Sequence, residues 1–313
     1  MDNVMNVITS IKDVVWGPIM LVLLFGTHVF LTIRTRCIQR YTFKGIKLSI
    51  TTDKEAEGEV YATIGTGNIV GVATAIATGG PGAVFWVWLT GCFGIASKYG
   101  EAVLAIKYRV KGSDGAMNGG PMYALERGLK QKWLGVLFAL FAGIACFGIG
   151  NGTQGNSITG MVATNFGISK YITAIVLTVG TGFVILGGVK SIAKVCENMV
   201  PFMAGFYILG CIIILVLNHA YVVDALKVIL TSAFTTQAAT GGFIGSTLML
   251  AMRAGVSRGL FTNESGLGSA PIADAAATTR NPVRQGLIAM TGVFWDTVIV
   301  CALTGVVLVS SML

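Results

Sequence analysis

Two short segments combine threonine, glycine and asparagine inside apolar sequence. The first, Thr66-Gly67-Asn68, lies within ATIGTGNIVGVATAIATGGPG (62–82), and the second, Thr240-Gly241-Gly242, opens TGGFIG (240–245). Glycine weakens a helix, and a break at membrane depth frees peptide groups that are costly to leave unpaired in lipid. Free N–H groups at a helix start suit a carboxylate, and free carbonyl groups suit a sodium ion. The chemistry predicted here is therefore the binding of a small zwitterion together with a cation.

Both segments read TGxxxG, which is also the spacing by which spanning helices pack closely, so helix packing is the competing explanation. Threonine and asparagine favour binding, because packing needs only small residues. Five predicted spans, an odd number, separate the starts of the two segments, so the second must enter the membrane in the opposite sense. Inverted repeats with glycine-interrupted helices are typical of the binding site of a secondary transporter.

Membrane-spanning helices must position these segments. Of the 313 residues, 54% are hydrophobic and 12% are charged, against roughly 25% charged in a soluble domain. The pattern predicts an all-α integral membrane protein, whose apolar blocks approach the ~20 residues that a spanning helix needs. The eight predicted spans are 14–33, 60–78, 82–106, 133–165, 171–189, 198–217, 237–255 and 286–310. The long fourth block is either one tilted helix or a helix interrupted near GIGNGTQGNS.

The positive charge indicates an orientation. The net charge of +8 is explained by basic cytoplasmic loops, so no nucleic-acid partner is predicted. If 259–280 is a loop rather than a span and the N-terminus is outside, most lysines and arginines lie on the cytoplasmic side, as the positive-inside rule requires. We therefore predict a multi-pass protein of the cytoplasmic membrane, embedded in its lipid bilayer.

Other polar residues in the spans have weaker interpretations. Lys98 and Glu101 are spaced to form an ion pair on one helical face. Asp296 either marks an ion path or anchors the bundle, and His28 is predicted to serve packing. The six cysteines show no metal spacing and are interpreted as small apolar fillers. No catalytic triad or metal set is recognisable, so no enzyme and no cofactor is predicted.

The order of longer motifs gives the chain a family resemblance. It resembles the alanine or glycine:cation symporter family, through motifs that follow one another in family order over nearly the whole chain. They include ATIGTGNIVGVATAIATGGPGAVFWVW, KYGEAVLAIKYR, GGPMYALERGL, FGIGNGTQGNSI, RGLFTNESGLGSAPIA and NPVRQGLIAMTGVFWDT. The resemblance implies symport of small neutral amino acids, such as alanine or glycine, with sodium or sometimes protons.

The resemblance also implies a fold and a site. The fold is an inverted five-plus-five helical bundle of the leucine-transporter type, preceded by one extra helix. On this chain that gives a single transmembrane domain: 1–50 is the extra helix and a basic loop, 60–218 the first repeat, and 237–313 an incomplete second repeat. The implied substrate-binding residues are Thr66, Gly67, Asn68, Gln154, Gly241, Gly242 and Phe243, and the implied sodium ligands are Gly65 and Asn68. Without the resemblance, Gln154 could belong to a polar break between helices in which its hydrogen bonds are satisfied. Phe243 could be a packing residue.

The chain departs from the family pattern in ways that bear on activity. Only Val60 to Ile64 remains apolar before GTGN, and at 1.5 Å per residue this half-helix is about 7–8 Å long, too short to reach the membrane surface. The chain has eight predicted spans, whereas the family has eleven. In addition, Thr236 replaces the usual proline and Asp274 replaces the usual histidine. A shortened chain, a non-transporting remnant or assembly partner, and a passive channel are therefore alternatives. On this basis the chain alone is expected not to drive sodium-dependent alanine uptake.

Overall fold

The computed structural model describes residues 2–51, 65–113, 115–234 and 248–313, and the described chain is almost entirely helical. Its α-helices are α1 Asp2–Val15, α2 Pro18–Arg34, α3 Thr42–Ile50, α4 Val70–Gly79, α5 Ala83–Tyr108, α6 Pro121–Tyr123, α7 Lys132–Ala145, α8 Thr153–Phe166, α9 Lys170–Leu186, α10 Gly188–Leu217, α11 His219–Ser232, α12 Leu248–Asn263, α13 Ala270–Asp274, α14 Pro282–Val293 and α15 Ala302–Ser310.

Several helices contain or adjoin tighter or wider turns. Short 3₁₀ turns lie at Ile38–Tyr41 and Thr66–Asn68, and π-helical turns lie at Ala124–Gly128, Cys146–Gly152 and Phe294–Cys301. Between α5 and α6, β1 (Val110–Lys111) pairs antiparallel with β2 (Met117–Asn118). The three described π-helical turns belong to a rare type of turn that is often found at functional sites.

Helix α5 lies at the centre of the described bundle and packs against α2, α12 and α14. At its crossing with α12, a Cβ atom on Gly255 would overlap the carbonyl oxygen of Ala83 and come within 2.5 Å of the Trp86 Cβ. Gly259, one turn further along α12, similarly faces Thr90. Glycine on α12 therefore sets the close approach of these two helices, as is typical of membrane bundles.

Among the described residues, three helical stretches are long and apolar enough to cross a membrane: Lys132–Phe166, Lys194–Leu217 and Pro282–Ser310. The bent pair Pro18–Arg34 and Ile38–Ile50 is a possible fourth. The first two stretches are almost wholly exposed, whereas more than half of the third is buried. Exposed apolar side chains such as Phe147, Leu186 and Phe202 mark the outer helices as a lipid-facing surface.

The described part of each predicted span is mainly helical, with interruptions such as residues 16–17 and the turn at residues 65–69. The fourth span is continuous from 132 to 166 and accommodates its glycines through the π-helical turn Cys146–Gly152. The predicted loop 259–280 begins too early, because α12 continues to Asn263 and buries Leu260 against the bundle. The short half-helix Val60–Ile64 lies outside the described residues.

Helices α4 and α12, which follow the two glycine-rich segments, pack side by side and antiparallel. Gly67 and Gly71 face Thr262 near the end of α12, whereas Gly79 faces Ala251 and Ala254 nearer its start. This opposite sense agrees with the spacing argument made from the sequence. The inverted-repeat fold as a whole remains a prediction.

The later part of the connection between α12 and α14 is tied to the end of α5 by Arg109. The guanidinium of Arg109 donates hydrogen bonds to the carbonyl oxygens of Ala275 (2.9 Å), Ala277 (2.5 Å) and Thr279 (2.8 Å). The planar fork of donors on arginine can serve several acceptors at once, and lysine cannot reproduce it.

We therefore expect Arg109→Ala to loosen residues 275–279 and to lower stability by about 1.5–3 kcal/mol, the usual range for hydrogen bonds to a charged group. Hydrogen exchange of these amides should rise by at least tenfold. Arg109→Lys should recover only part of the protection, and an unchanged exchange rate in Arg109→Ala would show that the guanidinium does not hold this connection.

Candidate functional site

The chain changes direction just before α4. Gly65 is extended (φ −160°, ψ −158°), Thr66–Asn68 form one 3₁₀ turn, and α4 begins at Val70. The backbone N–H of Gly65 donates to Asn68 Oδ1 at 2.8 Å, which closes the turn. The N–H groups of Thr66 and Gly67 have no acceptor among the described residues, as is normal for the first residues of a helix. N–H groups at a helix start can bind an anion when no acceptor of the chain occupies them.

Asn68 connects this turn to the last predicted span. Its Nδ2 donates to Asp296 Oδ1 (2.7 Å) and lies 3.0 Å from the Asp296 carbonyl oxygen and 3.3 Å from Cys301 Sγ. Asp296 Oδ2 accepts the hydroxyl hydrogen bond of Thr297 at 2.7 Å. Asn68 and Asp296 are 1% and 0% exposed, so a buried carboxylate lies directly behind the turn.

The π-helical turn Phe294–Cys301 positions the partners of Asn68. The wider turn lets Asp296, Thr297 and Cys301 all approach one point, whereas in a regular α-helix residues one and five apart do not share one face. Of the two interpretations of Asp296 left open by the sequence, the tertiary anchor is observed directly. A role in the ion path remains a prediction.

Gln154 meets the turn from another helix. It lies in the first turn of α8, directly after the π-helical turn Cys146–Gly152, and its Oε1 accepts a hydrogen bond from the Thr66 hydroxyl. Both side chains are partly exposed. Thr66, Gly67, Asn68 and Gln154, predicted as substrate-binding residues, therefore lie together. Gly241, Gly242 and Phe243 lie outside the described residues.

The competing explanation of TGxxxG, close helix packing, can be judged from the space around its glycines. A Cβ atom on Gly67 would lie 3.5 Å from Thr262 Oγ1 and 3.6 Å from Phe261, and one on Gly71 would lie 3.6 Å from Thr262 Oγ1. These are ordinary contacts, so packing does not require glycine at either position. By contrast, a Cβ atom on Gly79 would lie 2.8 Å from that of Ala254. Close packing thus uses Gly79.

The direct ion pair predicted between Lys98 and Glu101 is absent from the described structure. Glu101 Oε1 instead accepts hydrogen bonds from the N–H groups of Gly266 (3.1 Å) and Gly268 (3.2 Å). Both glycines have positive φ, +86° and +79°, which turns their N–H groups toward the carboxylate. The buried Lys98 Nζ lies 3.5 Å from the carbonyl oxygen of Asn263, the last residue of α12, where a helix favours a cation.

His28 serves packing, as predicted. It is 1% exposed, and its Nδ1 lies 2.5 Å from Ser97 Oγ, so it joins α2 to α5. No group of three or more His, Cys, Asp or Glu in the described parts of the chain could hold a metal ion.

Sequence reasoning missed Thr262, Thr297 and Cys301 as neighbours of the turn. Thr262 was assigned to a loop, and Cys301 was taken as a filler. One signal could have found Thr297, because two adjacent polar residues, Asp296 and Thr297, interrupt an otherwise apolar span and polar residues there are functional by default.

Asp274 lies in the connection between α12 and α14 and is 2% exposed. Its Oδ1 accepts a hydrogen bond from Gln285 Nε2 at 3.0 Å, while Oδ2 has no partner among the described residues. Burial raises the pKa of Asp274 to about 6, although Lys98 and the Gln285 hydrogen bond oppose the rise. The folded protein therefore binds this proton more tightly than the unfolded chain.

Because the pKa of Asp274 is raised on folding, stability should fall as pH rises from about 4 to about 6 and then level off. Asp274→Asn should remove this dependence and gain on the order of 1–3 kcal/mol at pH 7, at about 1.4 kcal/mol for each unit of pKa. Thermal unfolding between pH 4.5 and 7 measures this pH dependence of stability. Asp224→Asn, at an exposed position, is the control. Equal pH profiles for Asp274→Asn and the parent would contradict this expectation.

Lipid-facing helices around a buried polar turn indicate a multi-pass membrane protein, and comparison with known proteins identifies a transporter rather than an enzyme. The chain belongs to the sodium:alanine symporter family, which it matches over residues 1–313. It is 51% identical to the sodium/alanine symporter AgcS of Methanococcus maripaludis, over 97% of this chain and 70% of AgcS.

Two further relatives are similar over comparable lengths. An uncharacterized transporter of Haemophilus influenzae is 51% identical, over 97% of this chain and 69% of its own length. The amino-acid carrier protein AlsT of Bacillus subtilis is 37% identical, over 98% of this chain and 67% of AlsT. Membership of this family supports amino acid:cation symport as the class of activity.

Proposed function

We propose that the chain carries out sodium-coupled symport of a small neutral amino acid, alanine or glycine, across the cytoplasmic membrane. The observation that carries this proposal is the turn at Gly65–Asn68. It starts α4 with N–H groups at Thr66 and Gly67 that have no acceptor among the described residues, and it is closed by Asn68, whose amide is bound to buried Asp296. The symporter relative AgcS supports the same class of substrate and ion.

In this proposal the substrate carboxylate binds the N–H groups of Thr66 and Gly67, where the helix dipole also favours negative charge. The absence of a side chain at Gly67 lets the ligand approach the backbone. Gln154, already hydrogen-bonded to Thr66, supplies polar groups for the substrate from α8. Gly241, Gly242 and Phe243 lie outside the described residues, and we assign them to the pocket through the family resemblance alone.

Sodium prefers oxygen ligands. The carbonyl oxygen of Gly65 accepts only the N–H of Asn68, at 3.2 Å, among the described residues, and a carbonyl oxygen can accept a second partner. We assign Gly65 and the side-chain oxygen of Asn68 as sodium ligands. The carboxylate of Asp296 supports a cation nearby, because Asn68 contacts it directly. A proton in place of sodium is the second possibility.

The alternatives are less well supported. A passive channel would be expected to show pore-lining rings or a filter motif, whereas the polar residues here converge on one turn. A non-transporting remnant or assembly partner gains no support from the relatives, whose similarity extends over 97% of this chain.

Uptake into proteoliposomes that contain only this chain tests the proposal against the opposite expectation from the sequence, that the chain alone drives no sodium-dependent alanine uptake. We expect radiolabelled alanine to accumulate under an inward sodium gradient and not when choline replaces sodium. Excess unlabelled glycine should compete. Uptake that is the same in sodium and in choline, or that follows only a pH gradient, would overturn sodium coupling.

The orientation can be tested separately. We propose that the N-terminus is outside and that residues 264–281 face the cytoplasm. A cysteine introduced at Ser269 in a cysteine-free background should then resist a membrane-impermeant maleimide in intact cells and react after permeabilisation. Labelling in intact cells would reverse the orientation.

A further inference from the structure

We propose that the bend between α2 and α3 binds the headgroup of an anionic phospholipid. α2 ends at Arg34, and the axis of the Ile38–Ile50 stretch turns by 67° from that of α2. The turn places α3 across the end of an apolar helix, the position of a segment that lies at a membrane surface.

The charge of this bend is entirely of one sign. From residue 34 to 51 there is no aspartate or glutamate. The basic side chains are all exposed, and none forms an ion pair with a described residue. They are Arg34, Arg36, Arg40, Lys44 and Lys47. Near a membrane surface each basic residue contributes about 1 kcal/mol of attraction to anionic lipid.

The faces of α3 have separate roles. Thr42 and Gly45 are buried, and Gly45 lies directly against the carbonyl oxygen of Leu287 on α14. On the opposite side, helical spacing places Lys44 and Lys47 on one exposed edge. Among the described residues, this arrangement leaves an unpaired basic edge on a helix whose other face is fixed to the bundle.

An apolar edge lies beside the basic one. Phe43 is 75% exposed and Ile50 is 77% exposed, and they are seven residues apart on one face of α3. Ile33 and Phe30, at the end of α2, are 70% and 62% exposed. A basic edge next to an apolar edge matches the boundary between phosphate groups and acyl chains, which neither free phosphate nor a nucleic acid offers.

The bend is held in place rather than loosely joined. Gln39 Nε2 donates to Thr32 Oγ1 (2.8 Å) and to the carbonyl oxygen of Cys92 (3.2 Å). The N–H of Cys37 donates to the carbonyl oxygen of Thr32 at 2.8 Å, and Arg36 and Cys37 both have positive φ, 54° and 57°. The basic side chains therefore start from a fixed backbone, which lowers the entropy lost on binding a headgroup.

The test uses the full chain in a neutral detergent, titrated with dioctanoyl-phosphatidylglycerol, dioctanoyl-phosphatidylcholine or inorganic phosphate, with thermal unfolding as the readout of binding. We expect phosphatidylglycerol to raise the unfolding temperature and the other two to have little effect. The variant Arg40→Gln/Lys44→Gln/Lys47→Gln should bind phosphatidylglycerol at least tenfold more weakly.

The matched control, Lys111→Gln/Lys130→Gln/Lys132→Gln, removes the same charge from exposed cytoplasmic positions and should bind like the parent. Equal weakening in the control would show that only net charge matters, and equal protection by inorganic phosphate would indicate a free-anion site. Either result overturns the proposal. If the α3 variant does not fold, the parent decides: affinity for phosphatidylglycerol that does not fall between 0.05 and 0.5 M salt also overturns it.

Discussion

Asn68→Ala should weaken sodium-dependent binding of alanine by about 10–100-fold. The change removes the amide that closes the turn on the N–H of Gly65 and leaves the buried Asp296 carboxylate without its Asn68 partner. A hydrogen bond to a charged group contributes about 1.5–3 kcal/mol. If that loss falls on the bound state, each 1.4 kcal/mol lowers the apparent affinity for alanine tenfold. Equilibrium binding of radiolabelled alanine to the purified chain in sodium and in choline measures this loss.

Asn165→Ala provides the matched control. Asn165 is exposed, and its side chain bonds only the carbonyl oxygen of Met161, four residues earlier in α8. This variant should bind alanine like the parent. A second variant, Asp296→Asn, keeps the shape but removes the negative charge, and it should weaken the dependence on sodium more than the binding of alanine at saturating sodium. Parental sodium dependence in Asn68→Ala would show that this turn is not the site.

Gly255→Ala should prevent the bundle from assembling. The added Cβ would overlap the carbonyl oxygen of Ala83 and approach the Trp86 Cβ to 2.5 Å, and a backbone atom cannot rotate away. Overpacking usually lowers stability by about 1–3 kcal/mol and sometimes more. We expect the loss for Gly255→Ala at the upper end of this range, because α5 and α12 form the centre of the bundle. We expect little monodisperse protein in size-exclusion chromatography and a lower unfolding temperature.

The same substitution at Gly205 is the control, because nothing lies within 4 Å of a Cβ atom there. Alanine replaces glycine in a helix with a gain of up to about 1 kcal/mol. Gly205→Ala should therefore be neutral or slightly stabilising. If Gly255→Ala and Gly205→Ala behaved alike, the α5–α12 crossing would not depend on close approach at Gly255.

Hydropathy predicted the long apolar helices, because the length and apolarity of a span are local properties, but it did not predict shorter helices such as α3 and α11. The turn at Thr66–Asn68 could be predicted equally well, since glycines and a polar side chain in an apolar block are visible in one short stretch of sequence. The ends of helices were harder to predict. The helix containing Leu260 runs on to Asn263 because contacts with α5 stabilise its last turn.

The partners of the site residues could not be predicted in the same way. Asn68 and Asp296 are 228 residues apart, and only tertiary packing brings them together. Lys98 and Glu101 show the opposite case, in which local spacing predicted a pair. The N–H groups of Gly266 and Gly268 bind Glu101 instead, and their orientation depends on a connection far along the chain. Gln154 was placed at the site through the family resemblance.

An experimental structure of the chain with alanine and sodium bound would decide whether the turn at Gly65–Asn68 is the binding site. We expect the alanine carboxylate within hydrogen-bond distance, about 2.7–3.2 Å, of the N–H groups of Thr66 and Gly67, and sodium at the Gly65 carbonyl oxygen. A regular helix that runs unbroken through Gly65–Asn68, with those N–H groups bonded within the chain and alanine bound elsewhere, would contradict this assignment.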